Sequence, residues 1–311
     1  MTLTLDKASK DGLLPKEMAG EIFDRVTETS AIAKIAGRTD MSIQGSRFLI
    51  DTGKVEADVV AEGKAKPVSD FSLSYVETTP LKAAVIVDWT KEFRLANPAG
   101  VMDRIQGKLV EAINEQIDAA VLYGMSVKSK AKIPNVTFLN QTKNRVVLGA
   151  AKKTEGGLTA DIFAGYDAVL NGGHDFTGFV ADPRLRSQLF SATDVNGRPV
   201  YQATPDLRDS MGSLLGLPVS YAKSVSGRYG RAGADTGVRA FGGDFQNNLK
   251  FGFIEDINIK MSDQATVDGV SLWQTNKEAA LVEAIFGFVI KDVNAFAAYT
   301  AADDKPATPA G

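Results

Sequence analysis

The chain has 311 residues, a formal charge of −3 and no cysteine. Its length suits about two domains. The near-balanced charge excludes a nucleic-acid condenser, which works by neutralising phosphates with a large basic excess, and the missing cysteines exclude disulfides, thiolate nucleophiles and cysteine metal sites.

No apolar run reaches the ~20 residues that span a bilayer. The opening Met1–Lys7 lacks the basic-then-apolar layout of a leader, so the expected setting is cytosolic, with no membrane. Residues 1–14 read as an extended segment. Pro15 then opens a helical pattern, with Met18, Ile22 and Val26 at four-residue spacing and Ile32 and Ile35 continuing the apolar face. Gly37 is its expected stop. That face must be buried on something, in this chain or another.

Residues 38–90 read as strand. Arg47–Asp51 is one run, and Val55, Ala57 and Val59 alternate with charges. Glu62–Pro67 is a loop tip. Phe71, Leu73 and Tyr75 alternate with Ser72, Ser74 and Val76, while Ala83–Trp89 is more continuously apolar. The outer part predicts a long hairpin with a charged tip, whose apolar residues need a surface because two strands alone are marginal in water.

The clearest element covers 97–124. Asn97-Pro98 starts a helix, Ile105, Leu109, Ile113, Ile117 and Val121 form one stripe, and Gly124 sits at the expected C-terminal cap. Residues 125–157 are polar apart from Val146–Leu148, with a break at Gly156-Gly157. Asp161–Leu170 predicts a helix, Phe179–Ala181 a strand, and Asp182-Pro183 the capped start of another helix. Asn196-Gly197 is a tight turn, and a Gly-Leu-Pro break falls within Leu214–Ser220. Residues 224–243, rich in Gly and Arg, read as a loop. Leu249–Met261 predicts a strand, and Ser271–Asp292 two more, through Trp273 and through Val282 to Ile290. The polar, proline-rich tail from Ala301 has too little apolar surface to fold alone.

Motifs that carry chemistry are scarce. There is no phosphate-binding G-x-x-x-x-G-K-[ST] loop, and Gly227–Gly233 does not lead from a strand into a helix as a dinucleotide fingerprint must. His174 is the only histidine and reads as a loop residue without a catalytic partner. The carboxylates are scattered. The charged tip, with Glu62, Lys64 and Lys66, is either a solvated loop or a contact arm, and its mixed signs suit register and specificity.

The order of these pieces, from about residue 15 to 300, resembles the tailed-phage major capsid proteins of the Hong Kong 97 type. Leu14-Pro15 through Ile32 is similar to that family's N-arm opening. The hairpin resembles its E-loop, and Lys82–Phe93 its returning strand. Asp118-Ala-Ala-Val-Leu-Tyr-Gly124 resembles the close of its long spine helix. Leu214–Val219, Gly242–Phe245 and Asn294–Phe296 are similar to later segments. The resemblance implies an α+β fold with an N-arm (1–37), E-loop (38–88), P-domain (89–157) with spine helix 99–124, A-domain (158–248), P-domain return strands (249–300) and tail (301–311).

It further implies a non-enzymatic virion protein, made in the host cytoplasm, without cofactor or metal. Its copies would form hexameric and pentameric capsomers, meeting portal, scaffolding or decoration proteins and touching packaged DNA non-specifically at most. The expected inter-subunit contacts are Ile22, Val26, Glu62, Lys64, Lys66, Phe71 and Tyr75. Two alternatives remain open: an encapsulin-type compartment shell, which shares the fold, and an unrelated α+β enzyme.

Overall fold

A computed structural model describes residues 30–51, 56–62, 64–66, 68–69, 72–96, 101–201, 211–229 and 234–302. Its longest strands lie in one sheet. Strands β1 (Gly37–Arg38), β4 (Leu81–Thr90), β10 (Leu249–Ser262) and β13 (Lys277–Ile290) are ordered β1-β10-β13-β4. The central β13 runs antiparallel to both neighbours. The β10–β13 ladder slips between Phe253 and Glu255 and again between Glu255 and Asn258.

Strand β4 looks continuously apolar in sequence but sits on the sheet with a period of two. Ala83 and Trp89 are buried on one face, while Ile86 on the other is exposed. Over the inner face lies helix α2 (Val101–Tyr123), about 34 Å long at 1.5 Å per residue. Leu109, Ile113, Ile117 and Val121 of the expected stripe are buried, and Ile105 packs at its edge. Gly124 ends the helix at φ +62°, the left-handed conformation that favours glycine at this position.

The second sheet has six strands, in the order β5-β14-β9-β6-β8-β7. These are β5 (Asn144–Leu148), β6 (Gly178–Ala181), β7 (Met211–Leu214), β8 (Leu217–Tyr221), β9 (Val238–Gly243) and β14 (Phe296–Ala301). Two apolar clusters sandwich it. Val180, Phe241, Phe296 and Ala298 face the cluster that contains α2. Their neighbours Phe179, Ala240, Ala297 and Tyr299 face the cluster with Ile162, on helix α3 (Gly157–Asn171), and with Leu185, on helix α4 (Pro183–Ser191). The strands of 158–248 thus share their sheet with β5 and β14, which come from outside that stretch.

Four expectations change. The Gly- and Arg-rich stretch 224–243 is not all loop: residues 238–243 form β9, buried at every position. A strand covered on both faces loses the polar alternation that would mark it. The returning strand that the resemblance carries through Phe93 stops at Thr90, where the residue pattern over 38–90 also ends it. Thr90 Oγ1 accepts the Phe93 N–H at 3.3 Å, and a short helix, α1 (Lys91–Ala96), begins. Trp273 lies in no strand. A small hairpin of β11 (Thr266–Val267) and β12 (Val270–Ser271) precedes a turn that leaves Trp273 75% exposed. The helix expected to run through Ile35 is, over 30–36, a single turn feeding β1. The amides of Ala31 and Ile32 donate to Asp118 of α2 instead of lying in a continuing helix. Residues 15–29 of that expected helix lie outside the described residues.

Candidate assembly surface

Strands β2 (Ser46–Asp51) and β3 (Leu73–Thr78) form an antiparallel ribbon, pairing Ser46 with Thr78, Leu49 with Tyr75 and Asp51 with Leu73. Its pairing is fixed at the root. Thr78 is buried, and its hydroxyl donates to the Phe288 carbonyl of β13 at 2.6 Å. Alternation then places Arg47, Leu49, Leu73, Tyr75 and Glu77 on one face. The Arg47 and Glu77 side chains meet at 2.7 Å, and the guanidinium lies 5.1 Å over the Tyr75 ring. Leu49 is 67% exposed, Tyr75 57% and Leu73 52%. Beyond the strands, Glu62, Lys64 and Lys66 are exposed on the connecting loop, where the Lys64 amide closes a turn on the Ala61 carbonyl. Val59 and Val68 on that loop are almost wholly exposed.

The ribbon therefore carries four of the seven expected contact residues, Glu62, Lys64, Lys66 and Tyr75. Phe71, Ile22 and Val26 lie outside the described residues. An apolar face this exposed on a two-stranded ribbon has no cover from its own chain among the described residues. A receptive shape also exists. Between β4 and α2 runs a groove of about 810 Å³, lined by apolar side chains including Val85, Ile113, Ile133 and Phe286, with Lys82 and Lys128 beside them.

Two carboxylates hold the body beneath. Asp118, buried in α2, accepts the Ser30 hydroxyl at 2.9 Å, the Ser224 hydroxyl at 2.5 Å, and the amides of Ala31 and Ile32. Burial pushes its carboxyl above the usual range, and the four donors pull against that. Asp182 caps α4 by accepting the Arg184 amide at 2.8 Å, as its Asp-Pro sequence predicts. It also binds the Ser226 hydroxyl and the Arg184 and Arg228 guanidiniums. Burial opposes ionisation there too, but these donors win and hold its carboxyl below the usual range. In the sequence Asp118 stands only within the Asp118–Gly124 motif, because its partners lie 86 or more residues away for Ser30–Ile32 and 106 away for Ser224.

His174 Nε2 lies 3.0 Å from Asp292 Oδ2, and Asp292 also accepts the Asn294 amide, so the pair ties a turn. Among the described residues, no group of three or more acidic or histidine side chains could hold a metal ion. No described helix is long and apolar enough to cross a membrane.

The ribbon leaves the apolar side chains of Leu49, Leu73 and Tyr75 exposed on this chain. Residues 11–301 match the phage capsid family. The chain is 28% identical over 309 residues to the probable major capsid protein gp17 of Mycobacterium phage L5, covering 94% of this chain and 90% of that protein. Its counterpart in Mycobacterium phage D29 is also 28% identical, covering 93% and 90%. A solved structure from Gordonia phage Cozz superposes with a TM-score of 0.77 at 28% identity, covering 89% of this chain and 88% of that one. The capsid of an empty GTA particle shares the fold, at a TM-score of 0.59 and 15% identity, covering 88% and 90%. The chain belongs to the phage capsid family. Its work is that of a major capsid protein, a building block of the virion shell.

Proposed function

We propose that copies of this chain close into an icosahedral head of the Hong Kong 97 type, as hexamers and pentamers enclosing double-stranded DNA. In this reading 1–37 is the N-arm, 38–88 the E-loop, and 89–157 with 249–300 the P-domain. Residues 158–248 are the A-domain, clustered around capsomer axes, and 301–311 is the tail. Assembly takes place in the host cytoplasm, and portal, scaffolding or decoration proteins complete the particle. The subunit performs no catalysis.

The uncovered face of the β2–β3 ribbon carries this reading. Burying Leu49, Leu73 and Tyr75 on a neighbour removes apolar area from water at about 25 cal/mol per Å², a gain unavailable to the lone subunit. The groove beside β4 has the apolar lining to receive such a limb. Many modest contacts then add into a cooperative shell. An encapsulin-type compartment would use the same fold, but the relatives at 28% identity are phage capsid proteins.

The test is Leu49→Ser with Tyr75→Ser. The wild-type chain is expected to give closed particles by electron microscopy, and the double variant folded subunits that do not close. A wild type that stays monomeric under every assembly condition, or a variant that assembles equally well, refutes the proposal.

A further inference from the structure

The near-neutral whole conceals a stretch of one sign. Between Asp118 and Glu155 the sequence has seven cationic residues and no acid. Three of them stand on one tight loop. The Met125–Lys132 bridge and the Ile133 N–H to Gly124 O bond close its base. Within it, the Lys130 amide bonds the Ser126 carbonyl, and Lys130 adopts φ +55°. The Gln116 side chain clamps the loop to α2, donating to the Met125 carbonyl and accepting the Val127 amide. Lys128, Lys130 and Lys132 are thereby held together and exposed, as is Lys143 further on. None of the four forms an ion pair among the described residues, whereas Lys82, Lys260 and Lys277 are each paired with a carboxylate.

We propose that the 125–133 loop is a sequence-independent binding surface for the phosphate backbone of nucleic acid, and that it faces the enclosed genome. The inference rests on the shell reading above. Between Lys128 and Lys132 the only other side chains are Ser129 and Ala131. The loop's inner side, with Val127 and Ile133, lines the groove beside β4, whereas its tip at Lys130 and Lys132 offers a protein partner no apolar or aromatic anchor to hold. Stacking on bases would need aromatic side chains, and the amide side chains that read adenine are equally missing there. What remains is a cluster of flexible point charges, the chemistry that neutralises phosphates and releases counterions. The body's charge balance keeps the contact weak, which suits DNA that must enter and leave.

The experiment compares the full-length wild type with Lys128→Gln/Lys130→Gln/Lys132→Gln. Fluorescence anisotropy follows binding to a short labelled duplex between about 50 and 200 mM salt. The slope of log K against log salt is expected to become shallower by about 0.9 per lysine, or about 2.7 in all. In a second arm, lysine acetylation read by mass spectrometry is expected to find the three lysines less reactive in DNA-filled particles than in empty ones. An unchanged slope, or equal reactivity in filled and empty particles, overturns the inference. A triple variant that stops assembling while binding DNA normally also overturns it, since the loop would then be a subunit contact. Particle formation by the wild type is scored separately, so failure of the shell reading is distinguishable from failure of this one.

Discussion

Replacing Asp118 with alanine removes the acceptor on which the 30–33 turn, α2 and the turn at Ser224 converge. Both serine hydroxyls can rotate toward other acceptors. The amides of Ala31 and Ile32 cannot, and both residues are wholly buried. Each buried donor left unmet costs about 1–3 kcal/mol. Releasing a desolvated carboxyl offsets part of the 2–6 kcal/mol total, so a net loss of about 3 kcal/mol is expected. Asp118→Asn keeps one oxygen for Ser30 and Ile32 but turns its amide on the Ala31 N–H. Its loss should be smaller, about 1–2 kcal/mol. Urea unfolding of the assembly-incompetent subunit, followed by fluorescence of Trp89 and Trp273, measures both. The pH dependence adds a sign. Burial raises the folded carboxyl above its unfolded value of 3.8, so the folded state binds the proton more tightly. The acid's stabilising contribution is then fullest below about 3.8 and declines as pH rises toward the folded value. The gap between wild type and alanine variant should therefore narrow from acid toward neutral pH. An alanine variant within about 0.5 kcal/mol of wild type refutes the clasp, and a gap that widens with pH refutes the protonation argument.

Asp182 should behave oppositely. Its lowered carboxyl contributes stability above about 3.8, lost as pH falls through the folded value. Asp182→Asn should thus destabilise at neutral pH and match wild type in strong acid, as acid-titrated urea midpoints would report. On the ribbon loop, Lys64→Glu with Lys66→Glu should lower particle yield more than Asp303→Lys with Asp304→Lys in the tail. Equal yields by sedimentation would remove the loop from the contact.

The sequence made several local elements legible where one face meets solvent. The stripe from Ile105 to Val121 predicts α2, the Asp182-Pro183 pair predicts the capped start of α4, and the Leu73–Val76 alternation predicts β3. It failed at one strand where that contrast vanishes. In β9, Val-Arg-Ala-Phe-Gly-Gly resembles a loop because both its faces are buried, and the polar–apolar alternation has nothing to report. Trp273 reads as a strand residue by composition, yet it projects from a turn. Of the assembly surface, the hairpin and its charged tip were readable. The exposure of Leu49 was not, since a leucine in a strand carries no label saying which side its sheet lies on.

Read alone, the sequence therefore yields much of the order of elements, the kinship with phage capsid proteins and the ribbon's apolar alternation. These depend on residues near one another in the chain. Folding alone brings Asp118 to fasten residues 30–33 to α2 and Ser224, lets β5 and β14 complete the sheet of β6–β9, and sets three lysines on one closed loop. Such features are set by groups far apart in the chain, or by how the chain closes on itself. Burial and hydrogen bonding act through space, and one sequence does not record which distant groups they bring together.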